Sequence, residues 1–389
     1  MLLIKNALVK TMAGPDLPNG SVLIDNGRIL AVGTDVTLPD GAEAEIIDAD
    51  GAICAPGFVD AHCHIGMEEE GIGFEGDDVN EINDPLTPQL RAVDAINPRC
   101  EAYDNALANG VTTVVTGPGS ANVVGGTFLA MKTCGNRVDD MIVKNPVAMK
   151  IAFGENPKRC YKALNKSPRT RMATAALLRE MLFKARNYAD ELAASEADPD
   201  KKAPTFDMKL HAMLPVMRGE IPLKAHAHRA DDIYTAIRIA DEFGLKITLD
   251  HCTEGHLIVD DLVKANKPVF VGPSLTSKTK YELQNKTFDT PRILAEAGIK
   301  FGIITDAPVI PIQYLPLCAG LAVRAGLAPD IAWRAITIHP AELIGIADRV
   351  GSIEVGKDAD LTIFNGDPLA DLSCTVRYTV VDGKIVYRG

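Results

Sequence analysis

The chain has 389 residues, of which 47% are hydrophobic, and its formal net charge is −12. This length accommodates one large domain and a smaller one, and the apolar content is enough for a sizeable core, which excludes a disordered chain. The negative charge argues against nucleic acid and anionic membranes as partners. No apolar run is long enough to span a bilayer, and the first residues lack the pattern of a secretory signal.

Eight cysteines are scattered along the chain without a CxxC pair. In a long chain this distribution is typical of reduced thiols rather than of a disulfide framework. We therefore expect a cytoplasmic protein whose partner is a small-molecule substrate. The sequence does not decide the oligomeric state, and a homo-oligomer is compatible with it.

Short strands joined by turns are predicted at both ends of the chain. Asp25-Asn26-Gly27 is a hairpin signal near the N-terminus, and Asp382-Gly383 marks a similar turn near the C-terminus. Neither end can bury a core alone, so we predict one small β-sandwich domain from residues 1–53 and 352–389. Its predicted strands cover residues 2–9, 21–24, 28–32, 44–48, 361–364, 376–381 and 384–387.

Between these ends, strand-like runs alternate with amphipathic helical stretches. Eight such β/α units across residues 54–351 predict an α/β fold, the (β/α)8 or TIM barrel. A doubly wound sheet is the alternative, but no GxGxxG follows a strand. The predicted strands cover residues 58–62, 112–116, 127–131, 148–153, 223–226, 246–250, 269–271 and 301–305, and the clearest helices cover residues 174–194, 230–243, 290–297 and 329–335.

The first barrel strand ends in a His-x-His pair, His62 and His64. Side chains alternate between the faces of a strand, so both imidazoles point the same way and can hold one metal ion. Two histidines near a turn, without a metal, are the simpler explanation of the pair taken alone.

A barrel requires catalytic residues at the C-terminal ends of its strands. His226 and His228 end the fifth predicted strand, His251 ends the sixth and Asp306 ends the eighth. Imidazoles and a carboxylate suit Zn²⁺ and related divalent ions, which acidify a bound water. A carboxylate beside the ion can take the proton and deliver it to a leaving group, a role for which Asp306 is the candidate.

Several segments together resemble the amidohydrolase superfamily, and within it the imidazolonepropionase-related and prolidase-like enzymes. They are PGFVDAHCH at residues 56–64, GVTTV at 110–114, the histidines and aspartate at the strand ends, and GSIEVGKDADL at 351–361. The resemblance implies a metal-dependent hydrolase of carbon–nitrogen bonds. It also implies the metal ligands, which are His62, His64, His226, His251 and Asp306.

Many members of this superfamily bind a second ion through a carboxylated lysine or a glutamate on the fourth strand. Strand alternation places Met149, Ile151 and Phe153 on the helix side and Lys150 inside the barrel. Glu155, at the tip of the strand, is the rival, and Lys150 is favoured. A mononuclear site, in which Lys150 pairs with an acid, is the third alternative. One or two ions are therefore expected, with zinc as the metal.

Other residues are candidates for substrate contact. His228 lies two residues beyond His226, and either His228 or His251 could stabilise a developing oxyanion. Arg229, Lys158 and Arg159 are candidates for anion contacts at the mouth of the barrel, although solvated side chains explain them equally well.

The expected reaction is hydrolysis of an amide, cyclic amide or amidine-type C–N bond, with Asp306 as proton shuttle. A dipeptidase of the X-Pro or X-Arg type is the alternative within hydrolases. A barrel protein that has lost catalysis is the alternative outside them, and the complete set of candidate ligands argues against it.

Overall fold

Two hydrogen-bonded sheets organise the computed structural model, which describes residues 1–70 and 72–389. The strands are β1 (Leu2–Val9), β2 (Leu17–Asp25), β3 (Arg28–Gly33), β4 (Glu45–Asp48), β5 (Ile53–Pro56), β6 (Phe58–Cys63), β7 (Val111–Thr116), β8 (Val124–Lys132), β9 (Ile142–Ala152), β10 (Leu223–Ala227), β11 (Ile247–His251), β12 (Val269–Val271), β13 (Phe301–Ile303), β14 (Leu361–Phe364), β15 (Val376–Val381) and β16 (Lys384–Arg388).

Helices cover the longer connections between the strands of the second sheet. They are α1 (Glu101–Ala108), α2 (Val138–Met141), α3 (Glu155–Ala163), α4 (Arg171–Ala197), α5 (Met208–Ala212), α6 (Leu214–Met217), α7 (Ala230–Phe243), α8 (Val259–Ala265), α9 (Thr290–Glu296), α10 (Leu315–Arg324), α11 (Pro329–Ala335) and α12 (Ile338–Ile344). Within the part of the chain that is described, no helix has both the length and the apolarity needed to cross a membrane.

The first sheet combines both ends of the chain, in the order β16-β15-β14-β5-β1-β2-β3, with β4 beside β1. Its β2–β3 hairpin turns at Asn26 and Gly27, whose φ angles of 47° and 78° are those of a tight Asn-Gly turn. The sheet has an apolar core of its own, which includes Ile4 and Leu361. The sheet also extends to Pro56, beyond the predicted domain boundary at residue 53. The rest of the division into two domains stays a prediction.

The second sheet runs in the order β13-β12-β11-β10-β9-β8-β7-β6 and is nearly closed. Closure comes from contacts between β6 and the residues that follow β13. The backbone N–H of Asp306 donates to the carbonyl of His62 at 3.1 Å, and the N–H of His64 donates to the carbonyl of Ala307 at 2.7 Å. The carboxylate of buried Asp60 accepts the N–H of Thr305 at 3.1 Å, which ties the two ends of the sheet together.

The prediction of eight regular β/α units is wrong between the second and fourth strands. β8 is antiparallel to both β7 and β9. Residues 117–123 connect β7 to β8, and they are too few for a parallel crossover, which needs about a dozen residues. As a result β8 begins, rather than ends, at the edge of the sheet where the parallel strands end.

The outer face of the second sheet is apolar, and the helices pack against it. Met149 and Ile151 of β9, and Phe153 directly after it, join one core cluster with Leu178 and Leu182 of α4, as strand alternation predicts. Helix α7 shows the corresponding pattern, because its buried Ile233, Ala236, Ile239 and Ala240 recur at helical spacing and Gly244 ends it with a φ of 67°. The inner face of the sheet is thereby left for polar side chains.

Lys132, at the end of β8, connects the second sheet to the closing segment of the chain. Its side chain is only 3% exposed, and its Nζ lies 2.9 Å from Asp358 and pairs with Asp360. Burial alone would lower the pKa of Lys132, but these two carboxylates and Asp382 raise it, so the lysine is charged. The ion pairs therefore tie Asp358 and Asp360 of the closing segment to the second sheet.

We predict that Lys132→Met destabilises the protein by about 3–5 kcal/mol, because it leaves the buried carboxylate of Asp360 without its cation. Asp358 keeps its ion pair with Arg349 at 2.8 Å. Chemical unfolding in urea measures this change. The control is Lys184→Met, which breaks an exposed pair with Glu180 and should cost no more than about 1 kcal/mol. Equal small losses in the two variants would contradict the structural role of Lys132.

Candidate metal centre

Five buried histidines and one aspartate converge at the end of the second sheet where its parallel strands end. Their ligand atoms form two groups, each within 4.8 Å: His226 with His228 and His251, and His62 with His251 and Asp306. His64 joins the second group through Asp306, since its Nε2 lies 3.1 Å from Asp306 Oδ1. The structure therefore brings together the residues that the strand ends predicted, and their roles as ligands stay a prediction.

Backbone carbonyls fix the orientation of two of the imidazoles. His251 Nδ1 lies 2.8 Å from the carbonyl of Gly272, and His64 Nδ1 lies 2.7 Å from the carbonyl of Gly117. A carbonyl only accepts hydrogen bonds, so Nδ1 carries the proton in both rings. The neutral ring of His251 then presents the lone pair of Nε2 to the centre of the cluster.

Side chains hold the other three imidazoles, also through Nδ1. His62 Nδ1 contacts the carboxylate of Asp250, His226 Nδ1 lies 2.9 Å from the hydroxyl of Ser120, and His228 Nδ1 lies 2.7 Å from the hydroxyl of Thr253. All five rings are thus held through Nδ1 and turn Nε2 inward. This is the arrangement of metal-binding histidines, whose second nitrogen is usually held by a carbonyl, carboxylate or hydroxyl.

Burial keeps four of these imidazoles neutral. It is the largest cause that lowers the pKa values of His62, His226 and His251 well below their ordinary value, and it lowers that of His228 to about 3; neighbouring lysines and histidines add to the effect. His251 Nε2 is fully buried and has no hydrogen-bond partner among residues 1–70 and 72–389. An unpartnered buried acceptor is costly, and a divalent cation would satisfy it.

Asp306 supplies negative charge to this cluster. Burial alone would raise its pKa, but the hydrogen bond with His64 and the nearby positive charges lower it overall, so the carboxylate is ionised. Its Oδ1 lies 3.5 Å from His62 Nε2. Neutral imidazoles and one carboxylate form a donor set that fits zinc and related divalent ions.

An unusual backbone conformation allows neighbouring residues of β11 to serve the same site. Asp250 is opposite His226 in the parallel register, so it faces the barrel interior. Strand alternation would then turn His251 outward, but His251 has a φ of 76° and the following Cys252 one of 44°. Left-handed conformations are uncommon for such residues and persist where the surrounding structure over-determines them.

Lys150 lies among the histidines and Glu155 does not. Lys150 Nζ is fully buried, 3.2 Å from His62 Nε2, and burial is the main cause that lowers its pKa to about 8. Glu155 begins α3 after Gly154, whose φ of 80° turns the chain at the tip of the strand. Among the described residues, no hydrogen bond or ion pair joins the Glu155 carboxylate to the histidines. Of the two residues predicted as the metal ligand on the fourth strand, Lys150 is therefore better supported by its position than Glu155.

The three basic residues predicted at the mouth pair with other groups or face solvent. Arg229 forms a two-point ion pair with Asp231, at 2.9 and 3.0 Å. Arg159 is exposed on α3 and Lys158 is half-buried beside it. No hydrogen bond within residues 1–70 and 72–389 links these side chains to the imidazoles, so their predicted contact with substrate gains no support.

Sequence reasoning missed four residues that shape the site. Asp250, Ser120 and Thr253 hold imidazoles, and only Asp250, directly before His251, gave any signal. The fourth residue, Glu282, is 1% exposed, and its Oε1 lies 3.7 Å from His226 Nε2 and 3.9 Å from His228 Nε2. It lies in a short 3-10 turn after a polar loop, where its sequence context is that of an ordinary surface acid.

The model of the amidohydrolase family matches residues 53–386. The chain belongs to the amidohydrolase family. Over the full length of both chains it is similar to the crystal structure of an amidohydrolase from Thermotoga maritima MSB8, with a TM-score of 0.96 and 42% sequence identity. The resemblance inferred from the strand-end motifs is therefore confirmed.

The chain is also similar to two curated proteins. The imidazolonepropionase of Geobacillus kaustophilus is 27% identical, over 90% of this chain and 84% of its own length. The amidohydrolase tasK of Hapsidospora irregularis is 28% identical over 90% of this chain, but the chain spans only 38% of that protein's length.

We predict that removing an imidazole that has an inward Nε2 removes bound metal. His251→Asn should lower zinc content by at least one equivalent per chain, because His251 belongs to both groups of ligand atoms. Elemental analysis of the purified variant measures the loss. His211→Asn, at an exposed position, is the control and should keep the wild-type content.

A second prediction concerns Lys150. A pKa of about 8 leaves more neutral amine near pH 8 than an ordinary lysine has, and the fraction grows as the pH rises through that value. Because carbon dioxide reacts with the neutral amine, labelled bicarbonate and zinc together should give a carbamate signal in ¹³C NMR. The signal should increase from pH 7 towards pH 8 and disappear in Lys150→Met; its persistence in that variant would assign it to another lysine.

Proposed function

We propose that the protein is a zinc-dependent amidohydrolase that cleaves an amide, cyclic amide or amidine-type C–N bond of a small molecule. One observation carries the proposal: five buried imidazoles held through Nδ1 turn Nε2 into one cluster, which also contains the ionised carboxylate of Asp306. Membership of the amidohydrolase family supports the same reaction class, and the similarity to imidazolonepropionase favours a cyclic amide among the substrates to be tested.

His62, His64, His226, His251 and Asp306 would hold the metal. A bound divalent ion supplies Lewis acidity and acidifies a water molecule. Asp306 accepts the proton of the attacking water and delivers it to the leaving nitrogen. Its Oδ1 is suited to this transfer, because it is ionised and lies at the imidazole cluster, 3.1 Å from His64 Nε2.

The two histidines considered for the oxyanion differ in what they can donate. His251 holds its proton on Nδ1 against the Gly272 carbonyl, so its neutral ring has no N–H to offer from Nε2. His228 contacts the Thr253 hydroxyl, which either donates or accepts, so its Nε2 can carry a proton or a lone pair. We therefore do not assign oxyanion stabilisation to His251, which keeps the proposed role of metal ligand.

The cellular location proposed here is the cytoplasm. All eight cysteines are free thiols, and five of them are buried. A reducing compartment suits such a set, because none of the fold depends on a disulfide.

We predict that Asp306→Asn lowers turnover by about 10²–10⁴-fold while zinc remains bound, because the amide cannot accept the proton from water. The zinc-loaded protein is screened against cyclic amides, N-acyl amino acids and X-Pro and X-Arg dipeptides, and mass spectrometry identifies products that have gained water. The most rapidly cleaved substrate is then used to compare Asp306→Asn with wild type.

Unchanged turnover in Asp306→Asn would eliminate the proton shuttle. Cleavage confined to the dipeptides would favour the dipeptidase alternative. A wild-type protein that binds zinc and shows no chelator-sensitive hydrolysis across the panel would contradict the proposed activity.

A further inference from the structure

Tyr281 is an exposed aromatic residue on a turn that buried neighbours hold in place. It begins the 3-10 turn Tyr281–Leu283, in the loop after β12. The next two residues are buried, with Glu282 1% exposed and Leu283 5% exposed. Tyr281 itself is 63% exposed. Its backbone is therefore fixed by the interior, while its side chain lies at the surface.

Two contacts place this ring at the rim of the histidine cluster. Glu282, the residue after Tyr281, has its Oε1 3.9 Å from His228 Nε2. Arg229, the residue after His228, has the central carbon of its guanidinium 5.3 Å from the centre of the Tyr281 ring. The loops after β10 and β12 thus meet twice, at a buried pair and at the more exposed pair beside it.

The guanidinium of Arg229 is held from a second direction. It donates two hydrogen bonds to the carboxylate of Asp231, at 2.9 and 3.0 Å. A guanidinium over an aromatic face is attracted by the quadrupole of the ring, so Arg229 and Tyr281 fix each other. Because Asp231 balances its charge, Arg229 is suited to hold the tyrosine ring rather than to bind an anion.

The second face of the Tyr281 ring is open. Among residues 1–70 and 72–389, no other cation and no aromatic ring is stacked on it. A single exposed tyrosine is ordinary on a protein surface. This one differs because its ring is already oriented and adjoins the cluster. A ring that is fixed before binding loses little conformational entropy when a ligand stacks on it.

We propose that Tyr281 is a specificity-determining residue, which stacks against an aromatic or other planar ring that the substrate carries beside the bond to be cleaved. Arg229 is the positioning residue that holds the tyrosine ring. A planar ring makes a stacked contact with such a face, whereas a puckered saturated ring does not. The inference rests on the proposed function in taking the histidine cluster as the place where the substrate reacts.

The test is calorimetric binding of matched probes to the zinc-loaded, full-length protein. Benzohydroxamate and cyclohexanecarbohydroxamate carry the same zinc-chelating group, but the first has a planar ring and the second a puckered one. Their homologues with one further methylene vary the reach from the chelating group to the ring. We expect the wild type to bind the planar member of at least one pair about 3–10-fold more tightly, which is what a stacked aromatic pair contributes.

Four variants separate stacking from general apolar contact. Tyr281→Leu should abolish the preference, because leucine is apolar but has no planar face, and Tyr281→Phe should retain it. Arg229→Met should reduce it, because the ring loses its support. Tyr314→Leu is the matched control and should keep the wild-type preference. Tyr314 is also an exposed tyrosine, in a 3-10 turn after β13, and no cation within the described part of the chain is stacked on its ring.

Two results would overturn the inference. One is a wild-type protein that binds both members of each pair equally, or binds none of the probes. The other is a preference that persists unchanged in Tyr281→Leu, which would assign the selectivity to another part of the site. Hydrolysis is measured separately, so a protein that prefers the planar probes and cleaves no C–N bond would contradict the proposed function and leave the role of Tyr281 established.

Discussion

The structure of the site depends on the hydrogen bonds that hold five imidazoles through Nδ1. A histidine in water interconverts between tautomers and rotamers, and it titrates near neutral pH. Here the carbonyls of Gly117 and Gly272 remove that freedom from His64 and His251. Burial keeps His251 neutral, so its Nε2 presents a lone pair that no proton occupies. A concentration of such lone pairs in a buried space is unfavourable until a cation binds it.

The inner face of the barrel supports this arrangement through a second group of charges beneath the histidines. Asp250 contacts His62 Nδ1 and pairs with Lys224 Nζ at 2.6 Å. The rings of Phe128 and Phe270 lie beside the buried ammonium groups, with Lys224 Nζ 4.5 Å from the centre of Phe270. Aromatic faces attract cations where water is excluded, so the barrel interior tolerates lysines that would otherwise be costly to bury.

The antiparallel β8 has a functional consequence. Because β7 connects to β8 through a short segment, Gly117 and Ser120 lie at the edge where the histidines converge. Both hold an imidazole, His64 and His226 respectively. In a regular β/α unit a helix would follow β7. The departure from the regular barrel thus provides two of the five anchors.

The sequence by itself determined the elements and most of the ligand candidates. Strand periodicity and the Asn26-Gly27 turn place the terminal strands to within a few residues, and histidines at strand ends require no tertiary information beyond the barrel hypothesis. His62, His64 and Asp306 could be found because chemistry and strand position coincide in the chain. Lys150 could be assigned to the interior because β9 is long and its alternation is regular.

Only the tertiary structure decided which other polar groups meet these ligands. The direction of β8 depends on the length of the connection from β7. The orientation of His251 depends on a φ of 76°, which no local sequence pattern predicts. Glu282 resembles any surface acid in sequence, yet Gly154 and the start of α3 bring it to His226. The contacts of Glu282 with Gly154 and Glu155 join residues more than a hundred positions apart, so they follow from the packing of the closed sheet and not from local preference.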